Sequence, residues 1–165
     1  MDEKEKCWQD ELKEKYPKLL KQTYPSVGEG WKDLLDNMLG QIQHYMKWCW
    51  ENEYNEDKTV LQDGEEPPET GKWIQQPEFT QIKEKFSGLR AYYYGGDERI
   101  RGIVDSAEGM SYRICEICGN KGEARNDGWR RTLCTEHHEV EQARQEARRQ
   151  EAKARKAARN AEAHT

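Results

Sequence analysis

The chain has 165 residues, of which 34% are hydrophobic and 36% are charged. Typical globular domains are richer in apolar residues and only about 25% charged, so we expect a packed core in only part of the chain. No apolar run approaches the roughly 18 residues of a membrane span, and residues 1–6 lack the apolar stretch of a signal peptide. We therefore expect neither membrane association nor secretion, and the five cysteines should be reduced thiols or metal ligands.

The net charge of −5 is distributed unevenly along the chain. Residues 144–159 contain seven basic and two acidic side chains and carry +5, which leaves −10 for the remainder. An acidic body is atypical of proteins that coat nucleic acids, whereas a basic segment of this kind can contact phosphates or an acidic partner. Nucleic acid is therefore a candidate partner through the basic tail at 144–159.

Two stretches near the N-terminus have the periodicity of amphipathic helices. Residues 3–22 predict a short helix that Pro17 should break or restart after Tyr16. Residues 31–50 repeat apolar side chains at helical spacing over about 20 residues, which predicts a long helix with one core-facing stripe. Residues 26–29 have the S-x-x-E form of a capping box, and Gly28 and Gly30 indicate a turn before the long helix.

The middle of the chain changes from polar to aromatic. Residues 51–71 are polar and acidic, which predicts a solvated loop or linker. Aromatic and apolar side chains then predict a hairpin with strands at about 78–84 and 88–94, joined by a turn at Ser87-Gly88. Asp97 is expected to cap a further amphipathic helix.

The strongest chemical signal is a set of cysteines and histidines. Cys115 and Cys118 form a C-x2-C pair, Cys134 follows after fifteen intervening residues, and both His137 and His138 lie within reach of it. Structural zinc prefers four thiolate or imidazole ligands in a tetrahedron, usually delivered as two close pairs. The spacing therefore predicts Zn²⁺ held by the three cysteines and one of the two histidines. A complete Cys3His shell leaves no position for a catalytic water, so we expect the zinc to be structural.

Two further groups of side chains are candidates for binding a ligand or partner. The hairpin supplies cations and aromatic rings suited to an anion and to base stacking, and the stretch between the ligand pairs supplies an indole with two guanidinium groups. They are Lys83, Lys85, Phe86, Arg90, Tyr92, Tyr94, Trp129, Arg130 and Arg131. The alternative for the hairpin is an aromatic core face with solvated charges.

These elements predict an α+β fold in which the long amphipathic helix packs on a small β-hairpin, followed by a zinc-ribbon-like Cys3His module and an exposed C-terminal helix. The expected organisation is a helical region at 1–50, an acidic linker at 51–71, a module of hairpin, helix and zinc ribbon at 72–138, and a charged tail at 139–165. The tail has high helix propensity and almost no packing face, so it is either a solubilising segment or a contact arm.

Several short motifs occur in a characteristic order along residues 28–138. They are Gly30-Trp31, the sequence Q-I-K-E-K-F-S-G-L-R-A-Y that ends at Tyr92, Ala107-Glu108, C-x2-C-G from Cys115, and T-L-C-T-E-H that ends at His137. This order resembles uncharacterised zinc-ribbon-like small proteins of tailed bacteriophages. The resemblance implies a viral origin, a location in the cytoplasm of an infected bacterial host, and His137 rather than His138 as the fourth ligand.

The sequence lacks the motifs of the common enzyme classes. It has no nucleophile elbow, P-loop or H-x-E deaminase motif, and no histidine between Cys118 and Cys134 that an HNH-like nuclease would need. We therefore expect a noncatalytic protein. Its phage resemblance implies a counter-defence factor that inhibits a host antiviral protein or sequesters a nucleotide-like signal. The alternative is a zinc-ribbon protein that binds nucleic acid and modulates transcription.

Overall fold

The computed structural model describes residues 6–51, 58–61, 65–66 and 72–162, and its fold is α+β, as the sequence predicts. The helices are α1 (Trp8–Lys15), α2 (Lys32–Glu51), α3 (Glu98–Ser111) and α4 (Thr135–Glu162), with a 3-10 turn at Glu29–Trp31. The strands are β1 (Pro25–Ser26), β2 (Lys58–Leu61), β3 (Lys72–Gln75), β4 (Glu78–Lys85), β5 (Gly88–Tyr94), β6 (Glu123–Arg125) and β7 (Arg131–Leu133). Within these described ranges, no helix combines the length and the apolar character needed to cross a membrane.

The two N-terminal helices follow the apolar periodicity with one difference in length. α1 covers part of the predicted 3–22 and ends two residues before Pro17, close to the expected break, because a proline ring cannot be accommodated inside a helix. Residues 3–5 of that prediction lie outside the described residues. Leu19 nevertheless lies buried beyond the helix, and its carbonyl oxygen accepts a hydrogen bond of 2.8 Å from the Phe79 backbone N–H. α2 matches the predicted long helix within one residue at each end.

Three small sheets support the helices. β4 and β5 form the predicted antiparallel hairpin, to which β1 adds in parallel beside β4. β6 pairs antiparallel with β7, and β2 pairs parallel with β3. β2 lies inside 51–71, so the prediction of a linker is wrong for that part, because the local sequence Lys-Thr-Val-Leu favours a strand within an acidic surrounding. Apart from Glu51, β2 and residues 65–66, that segment lies outside the described residues.

α3 connects the hairpin to the long helix, because it packs against both β5 and α2. Two of its side chains also close the outer edge of β5. The Ser111 hydroxyl accepts a hydrogen bond from the Leu89 N–H, and the Glu108 carboxylate accepts one from the Ala91 N–H, each at 2.8 Å. An exposed strand edge would otherwise present unpaired N–H groups. As predicted, Asp97 caps α3, and its carboxylate accepts from the backbone N–H groups of the first turn.

One apolar core holds these elements together. Its largest fully buried side chains are the indole of Trp31 and the ring of Phe79, and α1, α2, α3 and the β4–β5 hairpin all contribute to it. Full burial of an aromatic or large aliphatic side chain contributes about 1.5–3 kcal/mol. The core therefore fixes the start of α2 relative to the hairpin, which matters for the site described next.

Candidate metal centre

Four side chains converge where the loop after α3 meets the end of β7 and the start of α4. Cys115 and Cys118 come from the loop, and Cys134 and His137 come from the residues on either side of the α4 N-terminus. The ligand atoms of these four residues all lie within 4.8 Å of one another. β6 and β7 form the two-stranded excursion that separates the two pairs and returns the second pair to the first.

The distances between ligand atoms are compatible with a tetrahedral metal site. The Cys118 and Cys134 sulfurs lie 3.9 Å apart, and His137 Nδ1 lies 3.6 Å from the Cys115 sulfur and 3.1 Å from the Cys134 sulfur. With Zn–S bonds of about 2.3 Å and Zn–N bonds of about 2.0 Å, a regular tetrahedron has edges of about 3.8 Å between sulfurs and about 3.5 Å between sulfur and nitrogen, and only the distance from His137 to the Cys134 sulfur is clearly shorter. The residues therefore fit a Cys3His metal site.

Backbone N–H groups around Cys115 and Cys118 favour the thiolate form of Cys115, which is the form that binds a cation. Burial raises the pKa of the Cys115 thiol, but backbone N–H groups of Cys134, Cys118 and Ile117 donate to it and lower its pKa to about 7. The turn closes when the Gly119 N–H donates to the Cys115 carbonyl at 2.9 Å, with Gly119 at a φ of +77°. This left-handed conformation favours glycine, which explains the glycine directly after C-x2-C.

The two neighbouring histidines have different surroundings. His137 faces the three sulfurs, whereas His138 Nε2 lies 3.2 Å from the Asp127 carboxylate in the β6–β7 loop. The structure therefore groups His137, and not His138, with the cysteines. His138 instead joins α4 to the loop, where Gln142 also donates to Asp127 at 2.7 Å.

This difference predicts unequal effects of two alanine substitutions. His137→Ala removes a donor from the cluster and should weaken zinc affinity more than about 100-fold, the upper end of the effect of losing an outer contact. His138→Ala should keep one bound zinc and change its affinity by less than about tenfold. Competition with a chromophoric chelator measures both affinities. A larger loss for His138→Ala than for His137→Ala would contradict the assignment.

A segment from the N-terminal half packs directly against the loop after α3 that carries Cys115 and Cys118, which is called the metal loop below. The Gly30 N–H donates to the Glu116 carbonyl at 2.9 Å, and the Trp31 indole N–H donates to the Ile114 carbonyl at 2.8 Å. A Cβ atom at Gly28 would collide with the Glu116 carbonyl oxygen, and one at Gly30 with the Cys115 carbonyl oxygen. The two glycines therefore permit close backbone approach to the metal loop.

The predicted capping box at 26–29 is wrong. Ser26 belongs to β1, and Gly28 is the residue at the start of the 3-10 turn, where no side chain caps the backbone. The reason is tertiary: pairing of β1 with β4 holds Ser26 in an extended conformation, and Glu116 supplies the acceptors for the Gly28 and Gly30 N–H groups in place of a local cap.

A buried carboxylate that the sequence patterns do not reveal lies at the centre of this contact. Glu116 is 6% exposed, and its side chain accepts from the Gly28 N–H at 3.0 Å and from Arg131 Nε at 3.0 Å. A charged residue inside C-x2-C gives no local sign of its partners, which lie 88 and 15 residues away. Arg131, a candidate partner-binding residue, is instead tied to this carboxylate.

The other candidate binding residues have varied surroundings. Arg90 donates to the Tyr112 hydroxyl at 2.8 Å and lies 3.5 Å from Glu108, so α3 engages its guanidinium group. Tyr94 is half-buried at the end of β5. Trp129 is 77% exposed in the β6–β7 loop, beside the exposed Arg130. The hairpin itself keeps four of the candidates accessible: Lys83, Lys85, Phe86 and Tyr92.

Neither a protein-family model, a curated protein nor a solved structure matches this chain significantly. Function is therefore inferred from the geometry of the chain's own residues.

Proposed function

We propose that this chain is a noncatalytic binding protein with a structural Zn²⁺ in its Cys3His centre. The observation that carries the proposal is the complete donor set, because four protein ligands within 4.8 Å of one another satisfy tetrahedral zinc. Bound zinc would hold the loop after α3 against α4 and favour the thiolate forms of the cysteines. The sequence-based resemblance to zinc-ribbon-like phage proteins supports the same assignment.

The polar side chains beside the metal cluster have hydrogen-bond or ion-pair partners within the protein. Glu116, the buried carboxylate nearest the ligands in sequence, is occupied by Arg131 and by a backbone N–H. His138 Nε2 lies 3.2 Å from the Asp127 carboxylate, so it joins α4 to the β6–β7 loop. Both groups therefore have partners within the protein that hold the surroundings of the cluster together. This arrangement favours a binding role over an enzymatic one.

We further propose that the protein is a phage counter-defence factor in the cytoplasm of an infected bacterial host. In that role it would inhibit a host antiviral protein or sequester a nucleotide-like signal. The motif order shared with phage proteins supports the origin. The hairpin presents exposed aromatic and cationic side chains on a fold that bound zinc would hold together, and this supports a recognition role.

An infection assay tests the counter-defence proposal. Phage plating is compared on bacteria that carry a defence system, with and without expression of the chain. Restored plating is expected for the wild-type protein and for Cys7→Ala, which removes a thiol outside the metal cluster, but not for Cys134→Ala. Isothermal titration with the purified defence proteins and nucleotide signals then identifies the partner. Unchanged plating across a panel of defence systems would overturn the proposal.

The alternative is a nucleic-acid-binding protein that modulates transcription, and α4 is the feature that favours it. Residues 146–159 of α4 are all exposed, and this stretch carries six basic residues against Glu146 and Glu151. Counterion release would make duplex binding by such a helix fall steeply with salt. Gel-shift titrations on duplex DNA at increasing salt distinguish the two roles, since binding to a purified defence protein has no comparable dependence on phosphate neutralisation.

A further inference from the structure

The outward face of the β4–β5 hairpin concentrates positive charge. In the strand register Lys83 stands opposite Arg90, and Gln81 opposite Tyr92, so these side chains share one face with Lys85. The intervening residues Ile82 and Ala91 are buried on the other face. Like charges directly opposite each other in a sheet are destabilising, so this face carries a charge arrangement that the fold itself does not favour.

Each of the two lysines of this face has an aromatic ring near its ammonium group. Lys83 Nζ lies 5.5 Å from the centre of the Tyr92 ring, and Lys85 Nζ lies 5.3 Å from the centre of the Phe86 ring. Within the described part of the chain, no carboxylate forms an ion pair with either ammonium group, whereas Arg90 is engaged by α3. The face therefore combines two available cations with the Tyr92 ring, and the adjoining turn adds the Phe86 ring beside Lys85.

The hairpin turn presents one of those rings in an unusual backbone conformation. Phe86 and Ser87 have φ values of +55° and +71°, a two-residue loop that normally selects asparagine and glycine. Phe86 is 60% exposed, so burial of its ring offsets little of the backbone strain. Bulky residues held in the left-handed region concentrate at functional sites.

The surrounding structure holds this turn in place. The Thr132 hydroxyl donates to the Ser87 carbonyl at 2.6 Å, and the Ser87 N–H donates to the Glu84 carboxylate at 2.7 Å. Thr132 belongs to β7, two residues before the metal-cluster cysteine at its end. A metal bound by Cys134 would thus hold β7 in place, and β7 supports the turn that carries the Phe86 ring.

We propose that the hairpin face formed by Lys83, Lys85, Phe86 and Tyr92 binds single-stranded nucleic acid. The lysines contact phosphates, and the two rings stack on bases, which every base permits because each has a π-face. From Gln81 to Phe86 the face extends about 16 Å at about 3.3 Å per residue, which accommodates a few nucleotides. An open sheet face suits a strand lying along it, whereas a free nucleotide is typically enclosed in a concave pocket. The inference goes beyond the counter-defence role and does not depend on it.

Fluorescence anisotropy of short labelled oligothymidylate and oligouridylate tests this inference on the zinc-loaded 165-residue chain. We expect saturable binding that weakens as salt increases. Phe86→Asn should lower the affinity about tenfold, because stacking on one ring is lost. Lys83→Gln and Lys85→Gln should each reduce the slope of log affinity against log salt by about 0.7.

Matched variants separate recognition from folding. Asparagine is favoured in the left-handed region, so Phe86→Asn should keep the zinc content and the melting temperature of the wild type, and Phe86→Tyr should keep the affinity. Trp50→Ala and Arg101→Gln change an exposed ring on α2 and an exposed cation on α3, and should leave binding unchanged.

Three results would overturn the inference: no oligonucleotide binding, wild-type affinity in Phe86→Asn, or equal weakening by Trp50→Ala. Binding of free mononucleotides as tight as that of the oligonucleotides would also overturn it, in favour of a nucleotide site. The plating assay fails or succeeds separately, because it uses defence proteins and not oligonucleotides.

Discussion

Cys134→Ala is expected to abolish tight zinc binding and to destabilise the protein severely. The substitution leaves three donors where tetrahedral zinc needs four, and Cys134 lies within 4.8 Å of all of them. Structural zinc sites in small domains have apparent binding free energies of about 10–16 kcal/mol. Loss of only a third, about 4 kcal/mol, would lower the melting temperature by roughly 10 °C. Metal analysis and thermal unfolding by circular dichroism measure both effects.

The chain contains a matched control for this substitution. Cys7 is exposed, and its sulfur lies 3.0 Å from the Asp10 carboxylate, outside the cluster. Cys7→Ala removes the same atoms and should change stability by less than about 0.5 kcal/mol. The wild-type protein with excess chelator should melt like Cys134→Ala. If Cys134→Ala kept one equivalent of zinc and the wild-type melting temperature, the structural-zinc assignment would fail.

The parts of this structure that follow from sequence are those encoded by local spacing. The helix α2 follows from a 3.6-residue repeat of apolar side chains, and the hairpin strands follow from aromatic runs flanking a turn. The three clustered cysteines follow from ligand spacing, which leaves His137 and His138 open as the fourth donor. In each case the pattern lies in residues that are close together in the sequence.

The exact position of the hairpin turn does not follow from local sequence spacing. The sequence places the turn at Ser87-Gly88, whereas Lys85 pairs with Gly88 and the loop residues are Phe86 and Ser87. Gly88 begins β5, and a Cβ there would meet the Tyr112 ring after α3 unless that side chain moved. The close contact with Tyr112, 24 residues away, is not visible in the local sequence.

The contact between the N-terminal half and the metal loop was also beyond the reach of sequence patterns. Glu116 and Gly28 are separated by 88 residues, and Trp31 and Ile114 by 83. Each segment alone has an adequate local explanation, as a turn before a helix and as a zinc-binding loop. Only the tertiary structure shows that the backbones touch, and that the buried Glu116 carboxylate has a backbone N–H and Arg131 as partners.

Gly30→Ala is expected to disrupt this contact and destabilise the protein by about 3 kcal/mol, the upper range for overpacking in a rigid site. The added methyl group would collide with the Cys115 carbonyl oxygen and lie 2.7 Å from the Cys118 backbone nitrogen. Because these are backbone atoms of the metal loop, no side-chain rotation relieves the overlap. Zinc affinity should fall together with the free energy of unfolding, which urea titration measures.

Gly102→Ala makes the same glycine-to-alanine change as Gly30→Ala but is expected to stabilise the protein. Gly102 lies within α3, and among the described residues no atom beyond its own stretch of helix backbone lies within 4 Å of the position that its Cβ would occupy. Replacing glycine with alanine inside a helix should therefore stabilise the protein by about 0.5–1 kcal/mol. If both variants stabilised the protein, the close approach at Gly30 would be refuted. If Gly30→Ala lost stability but kept wild-type zinc affinity, the two halves would dock without supporting the metal centre. The structure predicts the coupled loss, because the methyl group would press on the backbone that carries the first two ligands.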